Sequence, residues 1–472
     1  MKATLAHLLF VVVPLIGCAT DPEEGSDDAL DLAQTCPTTP TKIDHSLAVT
    51  DPAVLAHFPF TKTMQHVLAS VTTPGETTKQ LYQSWMATFG PTDCTNPKID
   101  PNHYGEVCPR NPEFKLASTD PTNPASKVQF LPVGVFNRFD LAPKNGANCG
   151  EYRIVYTLHS TDPTIAGRGF YIFEATLPNP APDKKLAGCL PIAEFWQSLS
   201  KLTSFTQIGN QLDKLYYQGT AIPGVGAVVQ AQNYGLAVNG GAHGTGQIRS
   251  NMFIDFAQWH LREFKTSSTC APGSMTCTLS IDHVTVKTNP ANELFDGTAS
   301  RAAAFQQAFK PSVRSLLSMD VSTIGMTIAN QFNEFESVSQ LPDNDVLYDE
   351  HANAAIINIV EGQLLLLGST LTPADVFRRA TTQTCGGCHQ QSSGPEAQLG
   401  GTNPDGSPFT WPASLGFVQI DETSRLSPAL TQFFLPHRQG VLDQFIAKNC
   451  NGAAMTDDDG LTIGGSPVGA AN

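Results

Sequence analysis

Val128-Gln129-Phe130-Leu131-Pro132-Val133-Gly134-Val135-Phe136 is an apolar, β-branched and aromatic run that stops at Asn137-Arg138. A short run of this composition, bounded by polar and turn-forming residues, reads as a strand. Glu151–Leu158 and Gly169–Ala175 repeat the pattern, and Gln247–Phe256 and Thr278–Val286 do so again. Between them, Pro191–Leu202 and Gln207–Tyr217 carry apolar residues at helical spacing. The expectation is an α+β domain over residues 41–298, built on a mixed, mostly antiparallel sheet. Two segments inside the β region, Phe136–Asp140 and Cys149–Arg153, mix arginine with carboxylates. Buried Arg–carboxylate pairs are expected to pin loops there.

Upstream, residues 36–127 are rich in Pro, Thr and Asn, with helices expected at Val54–Leu68 and Thr77–Phe89. Downstream the period lengthens. Phe305, Phe309, Val313, Leu316 and Leu317 recur at helical spacing, and Ile324–Phe335 and His351–Leu367 continue in that manner. Residues 299–384 therefore read as helical. Thr372-Pro373-Ala374-Asp375 opens one more helix, with Thr372 as N-cap and Pro373 in the first turn.

That helix leads to Thr384-Cys385-Gly386-Gly387-Cys388-His389-Gln390. Two thiols three positions apart lie on nearly one face of a helical turn, and the His after the second thiol projects from the same turn. C-x-x-C-H is the attachment pattern of a c-type haem. At Cys385, Cys388 and His389 the chain resembles the c-type cytochromes. The resemblance implies one covalent haem c, thioethers at Cys385 and Cys388, and His389 as proximal iron ligand. It also implies a cytochrome c-like haem region over 385–450. The small cytochromes usually place an aromatic about four residues before the first Cys, whereas Phe377 lies eight before Cys385. The spacing alone leaves open a local disulfide, a redox dithiol or half of a zinc site. A zinc site needs a second ligand pair, and the chain has no other C-x-x-C and no H-x3-5-H. A redox dithiol of the thioredoxin kind expects a β-α-β context that the sequence lacks.

Two downstream residues compete for a distal iron position. His437 follows Phe433-Phe434-Leu435-Pro436, and Met455 sits in a polar tail over 451–472. An iron with no distal protein ligand, or with a His from elsewhere in the chain, is the third option. Phe409, Trp411, Phe417, Val418 and Ile420 suit either a haem wall or ordinary core. Gly240–Gly246 is a flexible loop in which His243 reads as a surface residue, and His351 reads as a helix-end residue. There is no G-x-S-x-G, no H-E-x-x-H and no Walker A sequence.

The N-terminus sets the compartment. Met1-Lys2 precedes an apolar run from Leu5 to Ile16, too short to span a bilayer and suited to a signal-peptide core over residues 1–17. Leu15-Ile16-Gly17-Cys18 resembles the lipobox of bacterial lipoproteins, which implies lipidation at Cys18. Residues 19–35 hold six acidic residues and no Lys or Arg, so 18–40 reads as an acidic tether on a lipid anchor. In the lipoproteins that this stretch resembles, a residue such as Ala19 after the Cys favours the outer membrane, so the resemblance implies an outer-membrane lipoprotein of the cell envelope.

The formal net charge is −15. Such an acidic chain argues against a nucleic-acid partner and against docking on anionic lipid, and leaves a redox partner protein open. Setting aside Cys18, Cys385 and Cys388, eight of the 11 Cys remain. In an exported chain an even remainder reads as disulfides. Cys270–Cys277 and Cys94–Cys108 are local, Cys149–Cys189 comes next, and Cys36–Cys450 follows by elimination. The function expected from the resemblance is an electron-transfer or redox module. A haem peroxidase-like enzyme and a non-redox surface-binding or structural lipoprotein are the alternatives. If Cys18 carries the acyl chains, Cys18→Ala moves the mature protein from the membrane pellet to the soluble fraction on cell fractionation, since acylation supplies nearly all the membrane affinity.

Overall fold

The computed structural model describes residues 39–71, 75–94, 108–165, 167–253, 259–273, 277–339, 347–393 and 397–450. The expected signal peptide, Cys18, the tether, Cys36, Met455 and the tail lie outside them. Among the described residues nine strands form one sheet. They are β1 (Ala48–Val49), β2 (Val128–Arg138), β3 (Asn148–Ser160), β4 (Arg168–Pro178), β5 (Ala237–Val238), β6 (Gln247–Phe253), β7 (Trp259–Cys270), β8 (Cys277–Val284) and β9 (Glu336–Ser339). The path runs β1-β2-β3-β4-β6-β7, and β8 and β9 share the far edge of β7. Every pairing is antiparallel except that of β5 with β7. A small hairpin, β10 (Gln398–Thr402) and β11 (Pro408–Thr410), stands apart. The fold is thus α+β with a mostly antiparallel sheet, as the sequence predicts.

Successive strand residues point to opposite faces, and the register gives the two faces different chemistry. One face is aromatic. Phe130, Tyr156, Tyr171, Phe173 and Phe264 lie there, beneath α1 (Phe60–Ala69) and α2 (Thr78–Ala87). Phe60 meets Phe130 with ring centroids 4.9 Å apart, and Trp85 meets Tyr171 edge-on at 5.0 Å. Both helices earn their ends locally: Thr77 and Gln80 form a capping box, while Pro59 breaks the single helix expected over Val54–Leu68. Next in the chain come α3 (Leu190–Leu199) and α4 (Phe205–Asp213), the latter ending in a π-helical turn.

The other face carries charge. In one row across the sheet Val155, Ile172, Arg249 and Glu263 are partners; in the next, Arg153, Glu174 and Gln247. Arg249 lies 3.2 Å from Glu174 and 3.1 Å from Glu263, and Arg153 lies 2.8 Å from Glu151 and 3.2 Å from Glu174. Each of these side chains is buried. Burial pushes the Glu151 carboxyl up, but Arg153, Lys287 and Arg249 outweigh it and hold the group well below its usual range. Arg138 forks onto Asp140 at 2.8 to 3.1 Å. The expected Arg–carboxylate pairs are present, as part of a longer band than the two segments indicate.

The helical part follows the expected spacing in α5 (Ala302–Phe309) and α6 (Ala354–Leu367). Ile324–Phe335 is not the helix its apolar spacing suggests. Its backbone is used elsewhere: Glu334 O accepts from Val286 N at 2.7 Å, and Glu334 N donates to Asn289 O at 2.9 Å. The extended chain then becomes β9 on the edge of the sheet. α7 (Pro373–Thr381) has the expected cap, with Thr372 and Asp375 forming a capping box. It ends before the thiols, and a separate helix, α8 (Cys385–Gln391), begins at Thr384. At the C-terminal end a π-helical turn, Ala429–Phe434, runs directly into α9 (Leu435–Cys450), which accepts Pro436 in its first turn. The described residues form one compact unit, and the three expected regions share one core. No helix among the described residues is long and apolar enough to cross a membrane.

The strand β7 has no apolar alternation to announce it. Trp259-His260-Leu261-Arg262-Glu263-Phe264 is as charged as a surface loop, yet all six are buried. Arg249→Met would leave Glu263 buried without its main cation and weaken the pairing of Glu174. The expected loss is about 3–5 kcal/mol, read as a lower urea midpoint with little change in slope.

Candidate functional site

The turn bearing Cys385, Cys388 and His389 is built by its neighbours. Thr384 caps α8 by accepting from Gly387 N at 2.9 Å, and its own hydroxyl donates to Thr381 O at 2.9 Å. Gly386 N donates to Ser337 Oγ on β9 at 2.8 Å. The two glycines are required by close approach. A Cβ on Gly386 would stand 2.6 Å from Val338 O, and one on Gly387 would stand 2.1 Å from Thr381 O. The turn is therefore pressed backbone-to-backbone against the charged side of the sheet and the end of α7.

All three side chains are fully buried. Cys385 packs against Leu261 and Val286, close enough to Arg249 and Glu263 to sense their charge. Cys388 bonds to Ser392 and Trp411, and Trp411 Nε1 donates to Ser392 Oγ at 3.1 Å. Burial raises the Cys385 thiol to about 11 and the Cys388 thiol to about 12. Neither is bridged. Elsewhere Cys149–Cys189 and Cys270–Cys277 are disulfides, as expected. Cys108 and Cys450 are disulfide-bonded too, and the expected partners Cys94 and Cys36 have side chains outside the described set. Among the described cysteines only the C-x-x-C pair remains as thiols.

His389 is held from both sides. Its ring lies 5.4 Å from that of Trp259, tilted by 40°. Its Nδ1 is hydrogen-bonded to the carbonyl of Phe417. A carbonyl only accepts, so the proton sits on Nδ1 and the Nε2 lone pair is left free. Nε2 is buried and has no hydrogen-bond partner. Burial also lowers the imidazole to about 4, which keeps it neutral at physiological pH. The carbonyl comes from a strained turn: Phe417 has φ +79°, a left-handed conformation that a bulky residue seldom adopts, directly after Gly416 at φ +52°.

A buried, neutral imidazole with a fixed tautomer and an Nε2 that has no hydrogen-bond partner is a candidate metal ligand. The donor set suits a c-type haem: one imidazole nitrogen and two unbridged thiols on the same turn. Among the described residues no cluster of three or more His, Cys, Asp or Glu suited to a bare metal ion is found.

The remaining sequence candidates lie elsewhere. His437 is half-buried on α9, with Nδ1 4.0 Å from Asp320 Oδ2, and its ring is not brought against His389. His243 is exposed, with Nδ1 3.0 Å from Gly235 O. His351 lies beside Asn292 at 3.3 Å. Of the aromatics considered as walls, Trp411 reaches Cys388 and Phe417 holds His389, whereas Phe409 stacks on Arg379 at 4.9 Å. Trp259, Ser337 and the Phe417 carbonyl escape a sequence reading. A backbone acceptor has no residue signature, and the only local sign of a special turn is Gly416.

Buried thiols with raised pKa react slowly, because the thiolate is the nucleophile. In protein without an attached group, the alkylation of Cys385 and Cys388 by iodoacetamide at pH 8 is expected to be at least about 100-fold slower when native than in urea. Peptide mass mapping checks this. In comparisons with known proteins, no family model, no curated protein and no solved structure matches this chain.

Proposed function

We propose that the chain is an exported envelope lipoprotein carrying one covalent haem c, with an electron-transfer or redox role. One observation carries this reading: His389 Nε2 is buried and unpartnered on the same turn as two unbridged thiols. Cys385 and Cys388 would form the thioethers and His389 would be the proximal ligand. When bound, the haem supplies a one-electron carrier. The chain's own residues do the rest. The Phe417 carbonyl fixes the imidazole tautomer, and Trp259 limits its rotation. The closed surroundings exclude water, which favours the neutral imidazole. The depth of the turn also orders the assembly, since thiols with no exposed surface must be modified before the C-terminal region closes over the sheet.

A second reading rests on the glycines. Because Gly386 and Gly387 are demanded by contact with Val338 and Thr381, the turn also works as a packing device that locks α8 to β9. The protein would then be a non-redox structural or surface-binding lipoprotein.

Expression with a cytochrome c maturation system separates the two. The haem reading expects a peptide spanning Cys385–His389 heavier by one haem and a reduced-minus-oxidised c-type absorbance. Cys385→Ala/Cys388→Ala should abolish both. A full-length product with unmodified thiols and no visible absorbance would end the haem reading and favour the second.

A further inference from the structure

We infer that the corner between β2 and α9 binds a small monovalent carboxylate between the guanidiniums of Arg138 and Arg438. Both side chains are buried, Arg138 at the end of β2 and Arg438 on α9. Asp140 is the carboxylate they share, and Arg138 takes it: Asp140 accepts from Arg138 Nε and Nη2 at 2.8 to 3.1 Å. Arg438 Nε stands 3.9 Å from Asp140 Oδ2, beyond hydrogen-bond reach. Among the described residues the Arg438 guanidinium meets no hydrogen-bond acceptor and no other carboxylate. Arg138 Nη1 is buried and also has no hydrogen-bond partner. A buried guanidinium without an acceptor is costly, and arginine does not escape the cost by losing its proton.

Charge and shape select the ligand. Arg153 and Arg249 share three carboxylates, Glu151, Glu174 and Glu263, and Lys287 lies 3.6 Å from Glu151. That group is balanced, three cations against three anions. Arg138 and Arg438 are left with Asp140 alone, an excess of one positive charge. The two arginines respond in opposite ways. Burial lowers Arg138, but Asp140 outweighs it and raises the group, whereas burial and the Arg138 charge hold Arg438 well below the usual arginine range. One monovalent anion restores neutrality. A guanidinium fork offers paired N–H groups in one plane, which match the two oxygens of a carboxylate. The side chain of Arg438 keeps 4% of its surface in solvent and that of Asp140 11%, so the way in is narrow and suits a ligand of acetate size.

Thermal melting of the full chain carrying Cys18→Ala, titrated with sodium acetate at an ionic strength held constant with sodium chloride, tests this. Acetate should raise the melting temperature saturably, with a dissociation constant on the order of 1 mM for so small a ligand. A chain of formal charge −15 does not gather anions in general, so saturation marks a built site. Arg438→Met removes the unmatched cation and keeps a long side chain. It should melt no lower than the parent chain without acetate, and should weaken the acetate effect more than tenfold. Arg438→Lys keeps the charge but loses the fork and should also weaken the effect more than tenfold, which carries the test should Arg438→Met not fold. Arg168→Met, at a surface pair with Glu422, should leave the effect unchanged. A melting temperature indifferent to acetate, an equal response to sodium chloride, or a full acetate effect in the Arg438 variants overturns the inference.

Discussion

The pairing of Arg249 with Glu174 and Glu263 constrains more of this molecule than any other contact. A β-sheet with one aromatic face needs nothing on its other face but water. Here the second face holds buried Arg249, Arg153, Glu151, Glu174 and Glu263, and the pairing pays only where each charge is matched and covered. The cover is the C-terminal part of the chain. Cys385 packs on Leu261 beside this band, and Ile420 reaches β2, where a Cβ on Gly134 would come within 3.0 Å of its Cδ1. The region read from sequence as a separate haem-bearing module is therefore part of the same core. It packs on strands more than a hundred residues earlier.

This arrangement explains which parts of the fold can be read from residues alone. β2, β3, β4, β6 and β8 carry apolar runs, because even on the charged face their neighbours are Val155, Ile172 or Phe170. α7 announces itself through Thr372-Pro373 and Asp375, whose capping is local and needs no tertiary partner. β7 does not, because its stabilisation comes from partners on β6, β8 and β9. Taken alone, Arg262 and Glu263 are poor strand residues. Ile324–Phe335 misleads in the opposite direction. Its apolar spacing suits a helix, but the backbone hydrogen bonds offered by Val286 and Asn289 hold it extended.

The site divides in the same way. Cys385, Cys388 and His389 are fixed by spacing, and the helix cap at Thr384 follows from the same stretch. What makes the imidazole usable is non-local: a ring from β7, a hydroxyl from β9 against Gly386 and a carbonyl from the turn at Gly416-Phe417. The positive φ at Phe417 is a cost borne by the backbone, and the bond to His389 Nδ1 is the visible return on it. The orphaned Nε2 is the complementary sign, since a buried nitrogen without a partner is costly unless something occupies it.

These two thiols stay unbridged while the other described cysteines bridge. A C-x-x-C at the start of a helix is a common disulfide geometry, so spacing does not forbid the bond. The difference lies in the neighbours. Cys385 packs on Leu261 and Val286 of the sheet, and Cys388 lies beside Ser392 and Trp411. With Gly386 and Gly387 seated against Val338 and Thr381, the backbone between them has little freedom to swing one thiol to the other. Two unbridged thiols thus share one buried turn with an imidazole nitrogen that has no hydrogen-bond partner.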